Sequence, residues 1–131
     1  MVTAKITHPR IKKISPQFLV SDIDRSIEFY TKTLGFDVEF RYEDFYASVI
    51  NEGYSIHLKT SESLKDEGVI KRNQDDLDIL FSVDGIDELY EQLLNKSVEL
   101  VQSLRLMPYG KEFYISDPDG HIIAFVEDIM N

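Results

Sequence analysis

His57 is the side chain of this sequence best suited to chemistry. Imidazole titrates near neutrality, so His57 could be a metal ligand, a general base or a hydrogen-bonding group that contacts a bound molecule. The ordinary alternative is a half-buried strand histidine that bonds to a neighbour. The chain has three histidines and no cysteine, which excludes thiolate nucleophiles and disulfides. Any metal would therefore need His, Asp or Glu ligands.

Two other groups are weaker candidates. Asp78 is either a lone cavity carboxylate, able to pair with a cation or to bind a metal weakly, or the solvated end of a charged loop. His121 follows the segment Asp117-Pro118-Asp119-Gly120, in which Pro and Gly favour a tight turn and both aspartates are expected to bond to its backbone. We therefore predict a structural role for that turn.

The charge and length of the chain limit which ligands and which type of protein are expected. A formal net charge of −10 over 131 residues favours a cationic ligand and disfavours nucleic acid or an anionic membrane, although the same charge could serve solubility alone. No apolar run approaches the roughly 20 residues of a membrane span, and the first residues lack a secretory signal. We expect one soluble, cytoplasmic domain, and the lack of cysteine agrees with a reducing compartment.

An internal repeat organises the elements that must position these residues. Phe18 and Phe81, Val20 and Val83, and Asp24 and Asp87 all stand 63 positions apart, and each copy is a strand running into a helix. The first helix follows the possible cap Ser21-Asp22, and the second follows Gly85. Their apolar stripes are Ile23, Ile27, Tyr30 and Leu34 before Gly35, and Ile86, Leu89, Tyr90, Leu93 and Leu94 before 95–97.

Three short strands follow each helix, so the order βαβββ is written twice. The predicted strands cover 14–20, 36–42, 45–50 and 54–60 in the first half, and 98–104, 111–116 and 121–127 after the opening strand of the second half. The polar segment 61–76 connects the halves. Strand alternation places Ser55, His57 and Lys59 on one face and Ile56 and Leu58 on the other. The apolar face should pack under a helix, so His57 should point towards a cavity.

Aromatic residues are frequent on these strands and turns. We expect most of them in the core, where aromatic side chains dominate, and others in the wall of a cleft. With Glu39, Glu43 and Asp44 nearby, such a cleft would suit a planar or cationic guest. The aromatic set is Phe40, Tyr42, Phe45, Tyr46, Tyr109, Phe113 and Tyr114.

Two motifs carry a family resemblance that covers about residues 11–128. The stretch V-S-D-I-D-R-S-I-E-F-Y-T-K-T-L-G-F at 20–36 resembles the opening signature of vicinal oxygen chelate proteins, the superfamily of glyoxalases, bleomycin resistance proteins and dioxygenases. The stretch F-Y-I-S-D-P-D-G-H-I-I at 113–123 resembles the closing strand turn of that family, without its usual Glu.

The resemblance implies an α+β fold of two tandem βαβββ modules with curved mixed sheets around a cavity. It places module one at 11–60, the linker at 61–76 and module two at 77–128, after an N-terminal tail at 1–10. Relatives of this kind often form homodimers in which modules of two chains complete each site.

The resemblance also locates four metal-ligand positions, and they look incomplete. They fall on Ser15 (Pro16 if the strand slips by one), His57, Asp78 and Ala124. Ser15 is a poor ligand and Ala124 cannot bind a metal, whereas an enzyme of this family needs about three or four His and carboxylate ligands. We therefore expect no cofactor, and the missing ligands leave enzymatic activity open.

The pattern is closest to the metal-independent bleomycin-resistance branch, which predicts a protein that binds a hydrophobic or cationic small molecule, with a role in antibiotic resistance. One alternative is a metal-dependent lyase, isomerase or dioxygenase that uses His57, Asp78 and an atypical ligand such as Glu127 or His121. A third is a degenerate domain that only mediates association. The predicted ligand-binding residues are Ser15, Gln17, Tyr42, His57, Asp78, Tyr109 and Ala124.

Overall fold

The computed structural model describes residues 8–62 and 76–128, and most of the predicted linker 61–76 lies outside them. Each half has the predicted order of elements. The first half contains β1 (Gln17–Val20), α1 (Ile23–Glu28), a π-helical segment (Phe29–Thr33), β2 (Asp37–Tyr42), β3 (Tyr46–Asn51) and β4 (Tyr54–Thr60). The second contains β5 (Ile79–Ser82), α2 (Ile86–Leu94), β6 (Glu99–Met107), β7 (Gly110–Ser116) and β8 (Ile122–Asp128).

The two halves form two four-stranded sheets of the same topology. Their strand orders are β1-β4-β3-β2 and β5-β8-β7-β6. The first strand of each module pairs in parallel with the last, and all other pairs are antiparallel. The predicted α+β fold of paired modules with mixed sheets is therefore confirmed. None of the helices in the described ranges is both long and apolar enough to cross a membrane.

The first helix begins as predicted and then departs from α geometry. Asp22 caps it by accepting a hydrogen bond from the Arg25 amide (3.2 Å), which satisfies one of the free amides of a helix start. After Glu28 the turn widens into the π-helical segment, where the Thr31 hydroxyl donates to the Ile27 carbonyl (2.7 Å). Gly35 then ends the helical region with a φ of 79°, the left-handed conformation that glycine adopts without strain.

One core joins both modules. Ile56 and Leu58 are buried on the helix-facing side of the first sheet, as alternation predicted. The same cluster of buried residues contains the interior faces of both sheets and residues from both helices. Across the module boundary, the rings of Phe36 and Phe81 lie 5.9 Å apart. Burial of this apolar surface is the main term that holds the modules together.

The turn between β7 and β8 also links the modules. Asp117 accepts hydrogen bonds from the amides of Asp119 (3.0 Å) and His121 (2.8 Å), as predicted. The prediction for Asp119 was wrong, because its carboxylate reaches across to the first module and accepts from the amide (3.1 Å) and hydroxyl (2.7 Å) of Ser21. Both aspartates are buried, so the turn is packed against the start of α1.

Candidate functional site

The face of the first sheet that points away from the helices carries the strongest predicted residue. His57 lies on β4 and is half-buried, with Ser55 and Lys59 on the same face. Its register partner on β1 is Gln17, and its partner on β3 is Ser48. Residues that are direct or diagonal partners across neighbouring strands can touch. The sheet thus brings together two residues of the predicted binding set, Gln17 and His57.

A hydrogen-bonded chain connects these two residues through Tyr46. The Tyr46 hydroxyl lies 2.8 Å from His57 Nδ1 and donates to Gln17 Oε1 at 3.1 Å. Phe40 and Tyr46 also meet the imidazole edge-on, with ring centroids 5.5 Å and 5.6 Å away. The imidazole is therefore held in one orientation by polar and aromatic contacts, which preorganises it for a ligand.

Glu39 adds an oriented carboxylate to the same sheet. A register irregularity between Val38 and Phe40 lets it reach the hydroxyls of Ser48 (2.7 Å) and Ser55 (2.9 Å), and Lys13 approaches to 3.1 Å. These hydrogen bonds, led by that of Ser48, lower the pKa of Glu39 to about 2, because they favour the ionised form. The predicted neighbours Glu43 and Asp44 are exposed at the β2–β3 turn.

The equivalent face of the second sheet carries a cluster that sequence reasoning missed. Glu112 is buried and accepts hydrogen bonds from Arg105 Nε (2.8 Å) and from the hydroxyls of Tyr109 and Tyr114. Burial alone would raise the pKa of Glu112, but the bonds from Tyr109 and Arg105 outweigh it and lower the pKa. The hydrogen bond to Glu112 raises the pKa of Tyr109 to about 12.

Strand alternation was the one signal that could have found this cluster. It puts Glu112 and Tyr114 on the face opposite Phe113 and Ile115, but it does not reveal that Arg105 stands across from Glu112. Tyr109, a predicted ligand-binding residue, is 48% exposed at the edge of the cluster. The arrangement offers a fixed guanidinium and phenol to a molecule lying on this face.

Two of the four positions expected to bind a metal, Ser15 and Ala124, carry no imidazole or carboxylate. Asp78 sits before β5 and accepts a hydrogen bond from the Ile122 amide (2.8 Å), so its carboxylate helps to close the β5–β8 pair. Ser15 precedes β1, and Ala124 is buried with Tyr114 and Ile122. Among residues 8–62 and 76–128, no three or more His, Asp or Glu side chains are grouped as a metal would require. The donor set does not fit a catalytic metal.

The two atypical ligands also have other partners. Glu127 accepts hydrogen bonds from the amides of Gly85 (3.2 Å) and Ile86 (3.1 Å), and so caps α2. His121 is buried, bonds through Nδ1 to Asp117 (2.8 Å) and stacks on Phe18 at 4.4 Å. Neither His121 nor Glu127 joins His57, because one supports a turn and the other a helix end.

The prediction that most of the strand and turn aromatics are core residues was wrong. Of that set only Phe113 and Tyr114 are buried, whereas Tyr42 is 59% exposed. In the ranges 8–62 and 76–128 the helices lie against the other face of the sheets, so Tyr42 on the edge strand β2 stays open, whereas Tyr114 on the outer face of the second sheet is buried beside Ala124. Tyr42 contacts Phe40 with a centroid distance of 5.4 Å and extends the aromatic surface beside His57. Phe45 and Tyr109 are similarly open to solvent, whereas Phe40 and Tyr46 are half-buried.

An apolar groove of about 670 Å³ runs along the boundary between the modules. Pro16, Ile56 and Leu80 contribute to its wall, together with Phe81 and Phe125. Leu80 is 51% exposed. A groove of this size and lining could hold a drug-sized apolar molecule.

The comparisons with known proteins agree with this architecture. The family model of the Glyoxalase/Bleomycin resistance protein/Dioxygenase superfamily matches residues 10–125. Proteins named bleomycin resistance protein from Geobacillus stearothermophilus and Staphylococcus aureus are 30% identical to this chain, over 88% of its length and 96% of theirs.

Solved structures show the same fold. A superfamily member from Sphaerobacter thermophilus is 25% identical, with a TM-score of 0.73 over 91% of this chain and 98% of its own. TnmS3, an antibiotic binding protein from Streptomyces sp. CB03234, has a TM-score of 0.68 at 20% identity, over 95% of this chain and 99% of its own. At that identity the second likeness concerns the fold alone.

Proposed function

This chain belongs to the glyoxalase/bleomycin resistance protein/dioxygenase superfamily, and we propose that it binds a small hydrophobic or cationic molecule without a metal. The observation that carries the proposal is the open face of the first sheet, where Tyr46 and Gln17 orient His57 beside Phe40 and Tyr42. An aromatic surface with a few oriented polar groups is what a small-molecule site requires. Sequestration needs affinity alone, so it tolerates the loss of metal ligands.

Metal independence is supported by what occupies the family's ligand positions. Ala124 has no donor atom, and the Asp78 carboxylate bonds to the Ile122 amide. Of the four family positions, this leaves His57 as the ligating group on the open face, and a single imidazole does not hold a catalytic ion.

A hydrophobic or cationic guest is supported by surface and charge. The open faces carry aromatic rings and the exposed Leu19 and Leu80. An apolar molecule bound there would remove this apolar surface from water. Cations are favoured by the net charge of −10 and by the faces of the aromatic rings. Glu39 is ionised at neutral pH and could pair with such a guest, although Lys13 already compensates part of its charge.

We further propose that two copies of the chain form a homodimer in the cytoplasm and enclose the ligand between open sheet faces. Each sheet covers only one side of a cleft, and its outer face keeps large apolar side chains exposed. A second copy would supply the missing wall. Of the predicted binding residues, Gln17, Tyr42, His57 and Tyr109 would touch the ligand. Ser15, Asp78 and Ala124 would form its surroundings.

Calorimetric titration of chelator-treated protein with metal-free bleomycin tests the proposal, with aromatic ammonium compounds as further probes. We expect saturable binding that His57→Ala weakens about tenfold and that Lys59→Ala, a change on the same strand face, leaves within about twofold. Thermal unfolding with Mn, Fe(II), Co, Ni and Zn completes the test. A selective rise in Tm that is lost in His57→Ala would overturn metal independence, and absence of binding to every probe would overturn the binding function.

A further inference from the structure

We propose that Tyr46 and Gln17 fix the tautomer of His57, so that its Nε2 is a hydrogen-bond acceptor and the site selects ligands that carry an N–H or O–H donor. Tyr46 and Gln17 are positioning residues in this role. The inference rests on the proposed function and deepens it, because it names the chemical group of the ligand that meets His57.

The hydrogen-bonded chain contains few protons, and each has a definite place. Tyr46 has a single hydroxyl proton, and it donates that proton to Gln17 Oε1 at 3.1 Å. The hydroxyl oxygen also lies 2.8 Å from His57 Nδ1. Since the proton is already used, the contact with His57 requires Nδ1 to carry a hydrogen and donate it to Tyr46. A neutral imidazole has one N–H, so the lone pair must then be on Nε2.

The strand register places the three residues of this hydrogen-bonded chain side by side on the sheet. Gln17 and His57 stand opposite each other on β1 and β4, and Tyr46 lies diagonally from His57 on β3. The edge-on rings of Phe40 and Tyr46 restrict rotation of the imidazole, and rotation would exchange Nδ1 with a carbon. The rings therefore keep Nδ1 on the side of the imidazole that faces Tyr46.

Nε2 is open to a ligand. Every buried side-chain nitrogen or oxygen in the described residues has a hydrogen-bond partner, and the hydrogen bonds of His57 involve Nδ1. Nε2 therefore reaches solvent on the open face. Glu39 lies on the same sheet, where its carboxylate accepts hydrogen bonds from Ser48 and Ser55. Nε2 is thus an acceptor for a ligand with amine, amidine or phenol donors, with the Glu39 carboxylate on the same sheet and Lys13 paired to it.

The tautomer can be read without any ligand. In ¹⁵N NMR spectra of the full chain at about pH 8.5, where imidazole is neutral, His57 Nε2 should resonate in the pyridine-like range and Nδ1 in the pyrrole-like range. The reverse pattern would overturn the inference while leaving the proposed function untouched. His121 is an internal control, because its Nδ1 bonds to Asp117 whatever happens at Tyr46.

Variants test whether the hydrogen bonds of Tyr46 and Gln17 fix the tautomer of His57. Tyr46→Phe and Gln17→Met should shift His57 Nε2 towards the pyrrole-like range, because both tautomers become populated. Gln17→Glu keeps an acceptor and should keep the wild-type shift, and Tyr54→Phe is a matched control at an exposed hydroxyl. An unchanged spectrum in Tyr46→Phe, with a thermal transition showing that it is folded, would refute the positioning role.

Donor selection is tested with 2-naphthol and 2-methoxynaphthalene, which differ in the hydroxyl proton. The phenol should move the His57 Nε2 resonance and bind about fivefold more tightly than the ether, as expected for one neutral hydrogen bond. The preference should vanish in His57→Phe. Any result other than a larger response to the phenol would overturn donor selection. Failure with bleomycin but success with this pair would instead reject bleomycin as a ligand.

Discussion

At the residue scale, the two open faces are built around carboxylates that are already satisfied. Glu39 is bonded by Ser48 and Ser55, and Glu112 by Arg105 and Tyr109. A carboxylate with fixed partners keeps its orientation and its charge. The polar groups of the candidate site are thus preorganised, whereas at the β2–β3 turn the exposed Asp44 pairs with Arg41 (2.8 Å).

The pKa of Glu39 predicts an acid-dependent loss of stability. Its folded-state pKa is about 2 against an ordinary value of 4.5, so its contribution is present above pH 4.5 and is lost as the pH falls towards 2. In Glu39→Gln, the urea midpoint should fall less between pH 5 and about pH 2.5 than in the wild type. Identical falls in both proteins would show that the hydrogen bonds of Glu39 do not stabilise the fold.

At the element scale, helix starts depend on residues from distant strands. Gly85 begins α2 with a φ of 69° and supplies no capping side chain, so Glu127 of β8 accepts from the amides of Gly85 and Ile86 instead. At the start of α1, Asp119 from the other module takes the Ser21 amide. Anions at helix amino termini satisfy free amides and interact well with the helix dipole. Both helix starts are therefore coupled to the second module.

Removal of the Asp119 carboxylate should loosen the contact between modules. Asp119 is 1% exposed and accepts from Ser21, Arg25 and Ser26, so Asp119→Ala removes the partner of the buried Ser26 hydroxyl and of the half-buried Ser21. We expect the free energy of unfolding to fall by about 2 to 3 kcal/mol. The matched change Asp44→Ala, at a side chain that is 90% exposed, should alter it by no more than about 0.5 kcal/mol. Chemical denaturation measures both, and equal effects would contradict the role of Asp119.

At the scale of the whole molecule, the helices and the main core of the described residues lie on one side of the sheets, and the first strands keep large apolar side chains exposed on the other side. Leu19 and Leu80, on the first strands of the two modules, are 43% and 51% exposed. Exposed leucines beside aromatic side chains form the kind of surface that association buries. Because the described residues wall the proposed cleft on one side, we expect a second copy to supply the other.

Light scattering coupled to size-exclusion chromatography tests this arrangement. We expect a mass about twice the 15.2 kDa of one chain. Leu80→Glu should shift the population to the monomer, because it places a charge on the proposed buried surface, whereas Glu88→Lys on α2 should not. A wild-type protein that is monomeric at high concentration, and that still binds its ligand with full affinity, would refute the dimeric cleft.

The sequence by itself determined the repeat, the fold class and the faces of the strands. Period-2 alternation put His57 on the face of β4 opposite to that of Ile56 and Leu58. The predicted strand 54–60 has the same bounds as β4. The motif around Asp22 and Gly35 located the start and the end of the first helical region. These features follow from local geometry, because periodicity and turn chemistry act over a few neighbouring residues.

Only the tertiary structure decided which side chains meet. Gln17 and Tyr46 are 29 positions apart, yet both bond within the network of His57. Asp119 reaches Ser21 across 98 positions, and Asp78 bonds across 44 positions to Ile122. Such partners depend on strand register and on the packing of one module against the other, which spacing along the chain does not specify. The core assignment of the aromatics failed for the same reason, since burial depends on tertiary packing: Tyr114 is buried beside Ala124, whereas Tyr42 on an edge strand is exposed.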